Sequence, residues 1–407
     1  MGNCIVGQSG GPTAVINASL AGVYSTAIER GVKVYGMLNG IRGLLEGRYT
    51  DLSQHIRGRL DVELLRRTPS SFLGSCRYKI PMHHENEEMY IKIFTILKEL
   101  DIENFFYIGG NDSMDTIMKL AAYAKATNSP IRFIGVPKTI DNDLAITDHT
   151  PGYGSAAKYI GTTFKEIIRD SFVYGTSQIN IVEVMGRNAG WLTAASALAA
   201  SDDCEGPDMI FLPEAAFSLD RLYERIDTLF ARGQKSIVVA VSEGLKFENG
   251  AYVCEYYADK AKSTDAFGHT ALGGTAAVLA GIVGAKFKAK ARPIELSVLQ
   301  RAASHITSGV DNAEAFLAGG QAVRAAFEGN TAMTVVFKRI SSGPYQIETS
   351  LTGVEDIANI EKKVPQNWIT QDGSYVSKEF TEYVRPLIQG ELLPIMVDGL
   401  PRHIVLR

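Results

Sequence analysis

The sequence predicts an α/β protein of two Rossmann-like, three-layer domains with mainly parallel sheets and a C-terminal extension. Three observations predict it. Short apolar runs alternate with stretches whose apolar residues recur at helical spacing, the pattern of repeated strand–helix units. Almost every apolar run ends in a glycine-rich or charged motif. At 407 residues the chain is too long for one small core, so two domains are expected.

The units follow one another in order. Asn3–Val6 is expected as a strand ending in GQSGGP, then Thr13–Arg30 as a helix through Ile16, Leu20, Val23 and Ala27, with Gly31 as its C-cap. Val32–Met37 is the next strand. Tyr90–Leu100 reads as a helix, Phe105–Ile108 as a buried strand, and GGNDS opens a helix from Met114. Ile131–Val136 is a strand ending in PKTIDND, Gly154–Phe172 a helix, and Ile179–Val184 a strand ending in MGR. Trp191–Ala200 and Ser218–Ala231 read as helices, flanking a strand Met209–Leu212 that ends in PEAAF. Ser236–Val241 is a strand ending in SEG, and Ile294–Leu299 one ending in QR. Helix Ala313–Phe327 and a strand-like Ala332–Phe337 precede an irregular, proline-bearing remainder. In parallel sheets, ligands bind beyond the carboxyl ends of the strands. GQSGG, GGNDS, PKTIDND, MGR, SEG and QR all stand at that end.

Composition narrows the function. Hydrophobic residues make up 45% and charged residues 21%, ordinary for a folded enzyme. A net charge of −4 gives no footprint for nucleic acid or a membrane surface. Four scattered cysteines show neither a disulfide framework nor zinc spacing. The N-terminus does not read as a secretory signal, and no apolar stretch is long enough to span a bilayer, so a cytoplasmic protein is expected.

The strand-end motifs suit phosphate chemistry. GQSGGP exposes backbone N–H groups before a helix, a ready anion site, although a plain tight turn explains it equally well. Asp112 in GGNDS reads either as a helix N-cap or as a metal or phosphate contact. PKTIDND gathers Lys138, Thr139, Asp141 and Asp143. One carboxylate there can take a proton from an attacking hydroxyl, the other can help hold a divalent cation, and the lysine can neutralise developing charge. Arg187, Arg301 and Arg77 supply planar forks that grip phosphate, and Glu243 can accept sugar hydroxyls. The seven histidines form no convincing relay; His149 and His305 lie near motifs without ligand spacing.

Together SGGPTAVIN, LGSCR, IGGNDSMDT, GVPKTIDNDL, VEVMGRNAGW, VSEG and the late QR resemble the phosphofructokinase family, in family order from residue 7 to about 301. VRPLIQGELLPI resembles the longer, pyrophosphate-using members. The resemblance implies the phosphofructokinase fold, Mg²⁺ as cofactor, pyrophosphate and fructose 6-phosphate as substrates, and a homodimer or homotetramer. It implies Asp141 as general base, with Lys138, Asp112 and Arg77 assisting. Gly11, Arg77 and Lys138 would bind the donor. Thr139, Asp141, Met185, Gly186, Arg187, Glu243, Arg292, Val298 and Arg301 would form the acceptor site, Arg292 lent by a neighbouring subunit. Asn111, Asp112 and Asp143 would hold the metal. Asp112 and Lys138 stand where nucleotide-using relatives carry small residues, and so imply pyrophosphate as donor. The chain departs from the family pattern at Asn111, at Gln178, and at Val298 with QRAA for QRGG. Other acceptors such as sedoheptulose 7-phosphate, ATP as donor, and a non-catalytic regulatory subunit remain the alternatives. Two interleaved domains are expected: residues 1–139 with about 258–301 for the donor, and 140–257 with about 302–407 for the sugar phosphate.

Overall fold

The computed structural model describes residues 2–256 and 274–406. Its principal strands, in chain order, are β1 (Asn3–Gln8), β2 (Val34–Met37), β3 (Tyr49–Asp51), β4 (Ile102–Gly109), β5 (Arg132–Pro137), β6 (Gln178–Val184), β7 (Met209–Phe211), β8 (Ser236–Ser242), β9 (Lys290–Glu295), β10 (Met333–Ser342) and β11 (Tyr345–Gly353). They sort into a seven-stranded sheet, β11-β10-β5-β4-β1-β2-β3, and a four-stranded sheet, β7-β8-β6-β9. The smaller sheet is wholly parallel; the larger is parallel except for its two edge strands, β3 and β11.

Both faces of each sheet are covered, which is why the strands read as continuous apolar runs rather than alternating ones. Val6, Phe106, Ile108 and Ile134 face a core shared with helices Ile16–Ile28 and Gly309–Phe327. Ile5, Phe105, Tyr107 and Phe133 face the other core, against helices Glu87–Glu99 and Asn111–Ala126. In the smaller sheet Val182, Ile210 and Val238 meet helix Tyr153–Ser171, while Ile181, Phe211 and Val239 meet helices Leu219–Ala231 and Thr275–Phe287. Helices Ile16–Ile28 and Gly309–Phe327 cross in direct backbone contact. A Cβ on Gly22 would lie 2.1 Å from the Phe316 carbonyl oxygen, and one on Gly319 2.0 Å from that of Ser19.

Several expectations change. The late segments exchange places: β9 joins the smaller sheet, and β10 and β11 join the larger. Helix Thr275–Phe287 packs on the smaller sheet and so feeds β9 in beside β6. Helix Gly309–Phe327 packs on helix Ile16–Ile28 and returns the chain to β5. Residues 258–273 of the expected donor segment lie outside the described residues. The tail crosses again, with Val364, Ile369, Phe380 and Leu387 in the core of the smaller sheet. The strand expected at Ile294–Leu299 is β9, displaced upstream, and Leu299–Ala302 is a short helix. As an edge strand β9 alternates charged and small residues, so an apolar-run search places it too late. Helix Asn111–Ala126 begins before Met114, and Trp191–Ala200 is one α-helical turn continued as 3₁₀ helix. No helix among the described residues is long and apolar enough to cross a membrane.

Candidate active site

The carboxyl ends of β1, β4 and β5 open on one cavity of about 530 Å³. A larger cavity of about 810 Å³, lined by residues from Lys165 to Val173 and from Ser201 to Glu205, contains none of the strand-end motifs. Chemistry rather than volume therefore selects the smaller one.

Its floor is two laced loops. Gly10 N–H donates to the Cys76 carbonyl (3.2 Å) and Ser75 Oγ to the Gly10 carbonyl (2.6 Å), which sets Arg77 on the cavity wall. From the end of β5, Lys138 Nζ donates to the Gly11 carbonyl at 2.8 Å. Burial pulls the Lys138 pKa down to about 8, although Asp141 and Asp143 oppose the shift. Asp112 is not an N-cap. It sits in the first turn of its helix, ion-paired with Lys79 at 3.1 Å. Asn111, Lys79, Asn359 and Glu361 complete the lining of the cavity.

The TIDND turn is held from behind. Asn142 takes φ +53°, a left-handed conformation that its side chain secures. Its Oδ1 accepts from Thr150 N–H (3.1 Å) and its Nδ2 donates to Tyr383 Oη (3.1 Å). Asp141 and Asp143, on either side, then line the cavity. Thr139 Oγ1 accepts from Asp141 N–H and donates to Asp141 Oδ2, both at 3.1 Å. Burial raises the Asp141 pKa against the pull of Thr139 and Lys138. Burial, then Asp141 and Glu361, lift Asp143 to about 7.

The motifs of the smaller sheet do not line this cavity; they stand across the seam from it, with Glu243 and Arg301 near enough for their charges to couple with that of Asp141. Gly186 N–H donates to Glu243 Oε1 (3.0 Å), Ser242 Oγ–H to the Gly186 carbonyl, and Met185 N–H to Gln300 Oε1 (3.3 Å). A Cβ on Gly244 would fall 1.8 Å from the Arg187 carbonyl oxygen, so only glycine lets these loops close. Burial, with Asp141 and Glu183, raises Glu243 to about 7 despite the Gly186 N–H. Arg301 spans the seam. Its Nη1 lies 3.6 Å from where a Gly11 Cβ would stand, and Arg77, Asp141 and Glu243 all bear on its charge. Its Nε is buried with no hydrogen-bond acceptor among the described residues.

Arg301 was expected on the acceptor side alone; the short helix carrying it swings it over the donor loop as well. Arg292 and Val298 are not brought to the cavity. Arg292 lies mid-strand in β9, ion-paired with Asp170 at 3.6 Å, and Val298 is exposed ahead of the short helix. Lys79, Asn359 and Glu361 were missed. Glu361 accepts from Asn188 Nδ2 at 2.8 Å, a link between the two walls that only the chain's return from β11 creates.

For a metal, the donor chemistry decides. Among the described residues no group of three or more His, Cys, Asp or Glu side chains is gathered into a cage. Asn111, Asp112 and Asp143 offer oxygen ligands, and Asn111 Oδ1 is buried without a partner among the described residues. That fits a hard divalent cation carried largely by phosphate oxygens and water.

Two α/β units meeting at a seam of lysine, arginine and aspartate have the chemistry of a phosphoryl-transfer protein. The chain belongs to the phosphofructokinase family, whose model, described as Phosphofructokinase, matches residues 3–294. It is 39% identical over 409 residues to the pyrophosphate--fructose 6-phosphate 1-phosphotransferase of Xanthomonas campestris pv. campestris (strain B100), covering 100% of this chain and 96% of that one. It is 38% identical over 405 residues to the protein of the same name from Halomonas elongata, covering 98% of this chain and 95% of that one. The crystal structure of the pyrophosphate-dependent phosphofructokinase from Nitrosospira multiformis matches with a TM-score of 0.87 at 38% identity, over 99% of this chain and 95% of that one.

Proposed function

We propose that the protein transfers a phosphoryl group reversibly from pyrophosphate to the 1-hydroxyl of D-fructose 6-phosphate, giving fructose 1,6-bisphosphate and phosphate, a step of glycolysis and gluconeogenesis. One observation carries this reading. Arg301 presents a buried guanidinium N–H without an acceptor among the described residues, at the point where Arg77, Lys138 and Asp141 converge. An anion there would satisfy it. The high identity to relatives named for this reaction, over nearly their whole length, supports the choice of substrates.

Asp141 accepts the proton of the sugar hydroxyl as the new O–P bond forms and the bridging P–O bond of pyrophosphate breaks. Its raised pKa brings it nearer to neutrality than an ordinary carboxylate, as suits a general base. Lys138, Arg77 and the backbone at Gly11 meet the charge of the donor and of the departing phosphate. Thr139 holds the Asp141 carboxylate in register. Met185, Gly186, Arg187, Glu243 and Arg301 receive the sugar phosphate, with Arg292 supplied by a neighbouring copy in a homodimer or homotetramer. Mg²⁺, held by Asp143 and Asp112 beside Asn111, would neutralise pyrophosphate charge. Asp112, pinned by Lys79, puts bulk and negative charge where a nucleotide would extend. A cytoplasmic setting belongs to the same proposal.

Steady-state kinetics with Mg²⁺, pyrophosphate or ATP, and a panel including fructose 6-phosphate and sedoheptulose 7-phosphate tests it. Turnover with pyrophosphate and fructose 6-phosphate, and little with ATP, is expected. Robust turnover of ATP by the unmodified protein sinks the donor assignment.

A further inference from the structure

Behind the TIDND turn, on the side away from the cavity, lies a buried charged cluster that the reaction as described does not use. His149 is at its centre, 1% exposed and stacked on Phe337 with ring centroids 5.1 Å apart. Its Nδ1 is 2.8 Å from Asp148 Oδ1, and its Nε2 is 2.7 Å from Glu314 Oε2. Neither carboxylate is otherwise idle. Arg339 donates to Asp148 Oδ1 through Nη2 (2.9 Å), and Tyr345 Oη–H donates to Glu314 Oε1 (2.7 Å). A neutral imidazole has one N–H, so one of its nitrogens would turn a lone pair towards a carboxylate oxygen. With both carboxyls ionised, only the imidazolium satisfies both contacts.

The cluster is wired to the turn. Tyr383 Oη–H donates to the Asp148 carbonyl (2.6 Å) and accepts from Asn142 Nδ2. Lys362 Nζ donates to the same carbonyl at 2.7 Å. We propose that His149, held as an imidazolium between Asp148 and Glu314, is a positioning residue that fixes the turn carrying Asp141; the proposal rests on the phosphotransferase reading above.

The groups bearing on the ring come from every neighbouring element. They are Asp148 from its own segment, Glu314 from helix Gly309–Phe327, Arg339 from β10, Tyr345 from β11, Lys362 from the segment after β11, and Tyr383 from helix Lys378–Val384. Burial favours the neutral ring, but the hydrogen bonds and charges of Asp148 and Glu314 outweigh it and raise the His149 pKa above the ordinary histidine value. When the proton leaves, a ring lone pair faces one of the carboxylates, and Asp148 shifts from the ring towards Arg339, which still holds its Oδ1. Tyr383 and Asn142 move with it, and the left-handed turn that aims Asp141 relaxes. Turnover therefore falls on the alkaline side, while the walls that bind the substrates stay in place.

Histidine NMR on the isotope-labelled full chain reads the ring directly, alongside pH profiles of wild type, Glu314→Gln and His149→Phe. The wild-type ring should keep both protons beyond the pH at which an ordinary histidine loses one. In Glu314→Gln the introduced amide would give its N–H to a neutral Nε2 and still accept from Tyr345. That variant should therefore carry a neutral ring, keep kcat, and lose the alkaline limb due to His149. His149→Phe keeps the stack but no hydrogen bond. Its kcat should fall on the order of 10²-fold, the penalty for a displaced reacting group, with both KM values within about threefold. A neutral wild-type ring at pH 7, an unchanged alkaline limb in Glu314→Gln, or a folded His149→Phe with normal kcat each overturns the proposal. If the wild type fails to use pyrophosphate with fructose 6-phosphate, the functional reading falls instead, and the NMR result still decides the charge of the ring.

Discussion

Glu243→Gln separates what the active site needs from what the fold prefers. The carboxyl of Glu243 titrates near 7 in the folded chain against an ordinary 4.5, because burial, Asp141 and Glu183 oppose its charge more than the Gly186 N–H supports it. Since the folded pKa is the higher one, the native state holds more protons between those values, and stability falls as pH rises through that window. Above it the whole burden is present. A gap of 7 − 4.5 corresponds to about 3.5 kcal/mol at roughly 1.4 kcal/mol per pH unit. The group keeps some contact with solvent, so about 2 kcal/mol is the expected figure. Glutamine retains the Oε1 that accepts from Gly186 and removes the charge. With an unfolding entropy of about 2.1 cal/mol/K per residue, the gain is a rise in apparent Tm of about 2 °C at pH 8, shrinking towards nothing near pH 4.5. Kinetics should move the other way. Losing a charged acceptor for the sugar should raise the fructose 6-phosphate KM by roughly 10- to 100-fold and leave the pyrophosphate KM alone. Scanning calorimetry at several pH values, beside steady-state rates, is the assay. A variant less stable than wild type at pH 8 would show that Glu243 is a structural anchor and refute the argument.

Asp141→Asn should lower kcat by roughly 10²–10⁴-fold with little change in either KM, measured at saturating pyrophosphate; near-normal turnover would move the general base elsewhere. Gly244→Ala forces a methyl group to within 1.8 Å of the Arg187 carbonyl oxygen and must part the two loops of the proposed acceptor site. Its acceptor KM should rise well beyond any change in pyrophosphate KM, and equal effects on both would show that the two walls are not separate sites.

How much of this was legible depended on whether the information was local. Strands with both faces buried announce themselves as apolar runs, so β1, β4, β5, β6 and β8 were readable, and with them the strand-end positions of Gly11, Lys138, Asp141, Asp143, Arg187 and Glu243. β9 was misplaced because an edge strand of Lys290, Ala291, Arg292 and Pro293 has no such run. Arg301 was found by its motif but given half its surroundings, since its reach to Gly11 depends on a helix that the strand reading had replaced. Lys79 and Glu361 stand in no motif. His149 lacked ligand spacing because Glu314 is 165 residues away in sequence. Spacing rules see one turn or one strand end at a time, and partners delivered by topology are invisible to them.

The same topology explains how the seam keeps its width. The segment leaving β11 for the smaller sheet passes between the two walls. Lys362 N–H donates to the Asp143 carbonyl at 2.7 Å, and the Lys362 carbonyl accepts from Trp191 Nε1 at 2.9 Å. One residue earlier, Glu361 accepts from Asn188, next to Arg187. A strap of two residues thus ties the turn carrying the proposed base to the loop of the proposed sugar site. In-line transfer depends on the distance between those walls. Here hydrogen bonds to the Lys362 backbone and the Glu361 side chain set that distance, so the proposed base and sugar loop are in register before either ligand arrives.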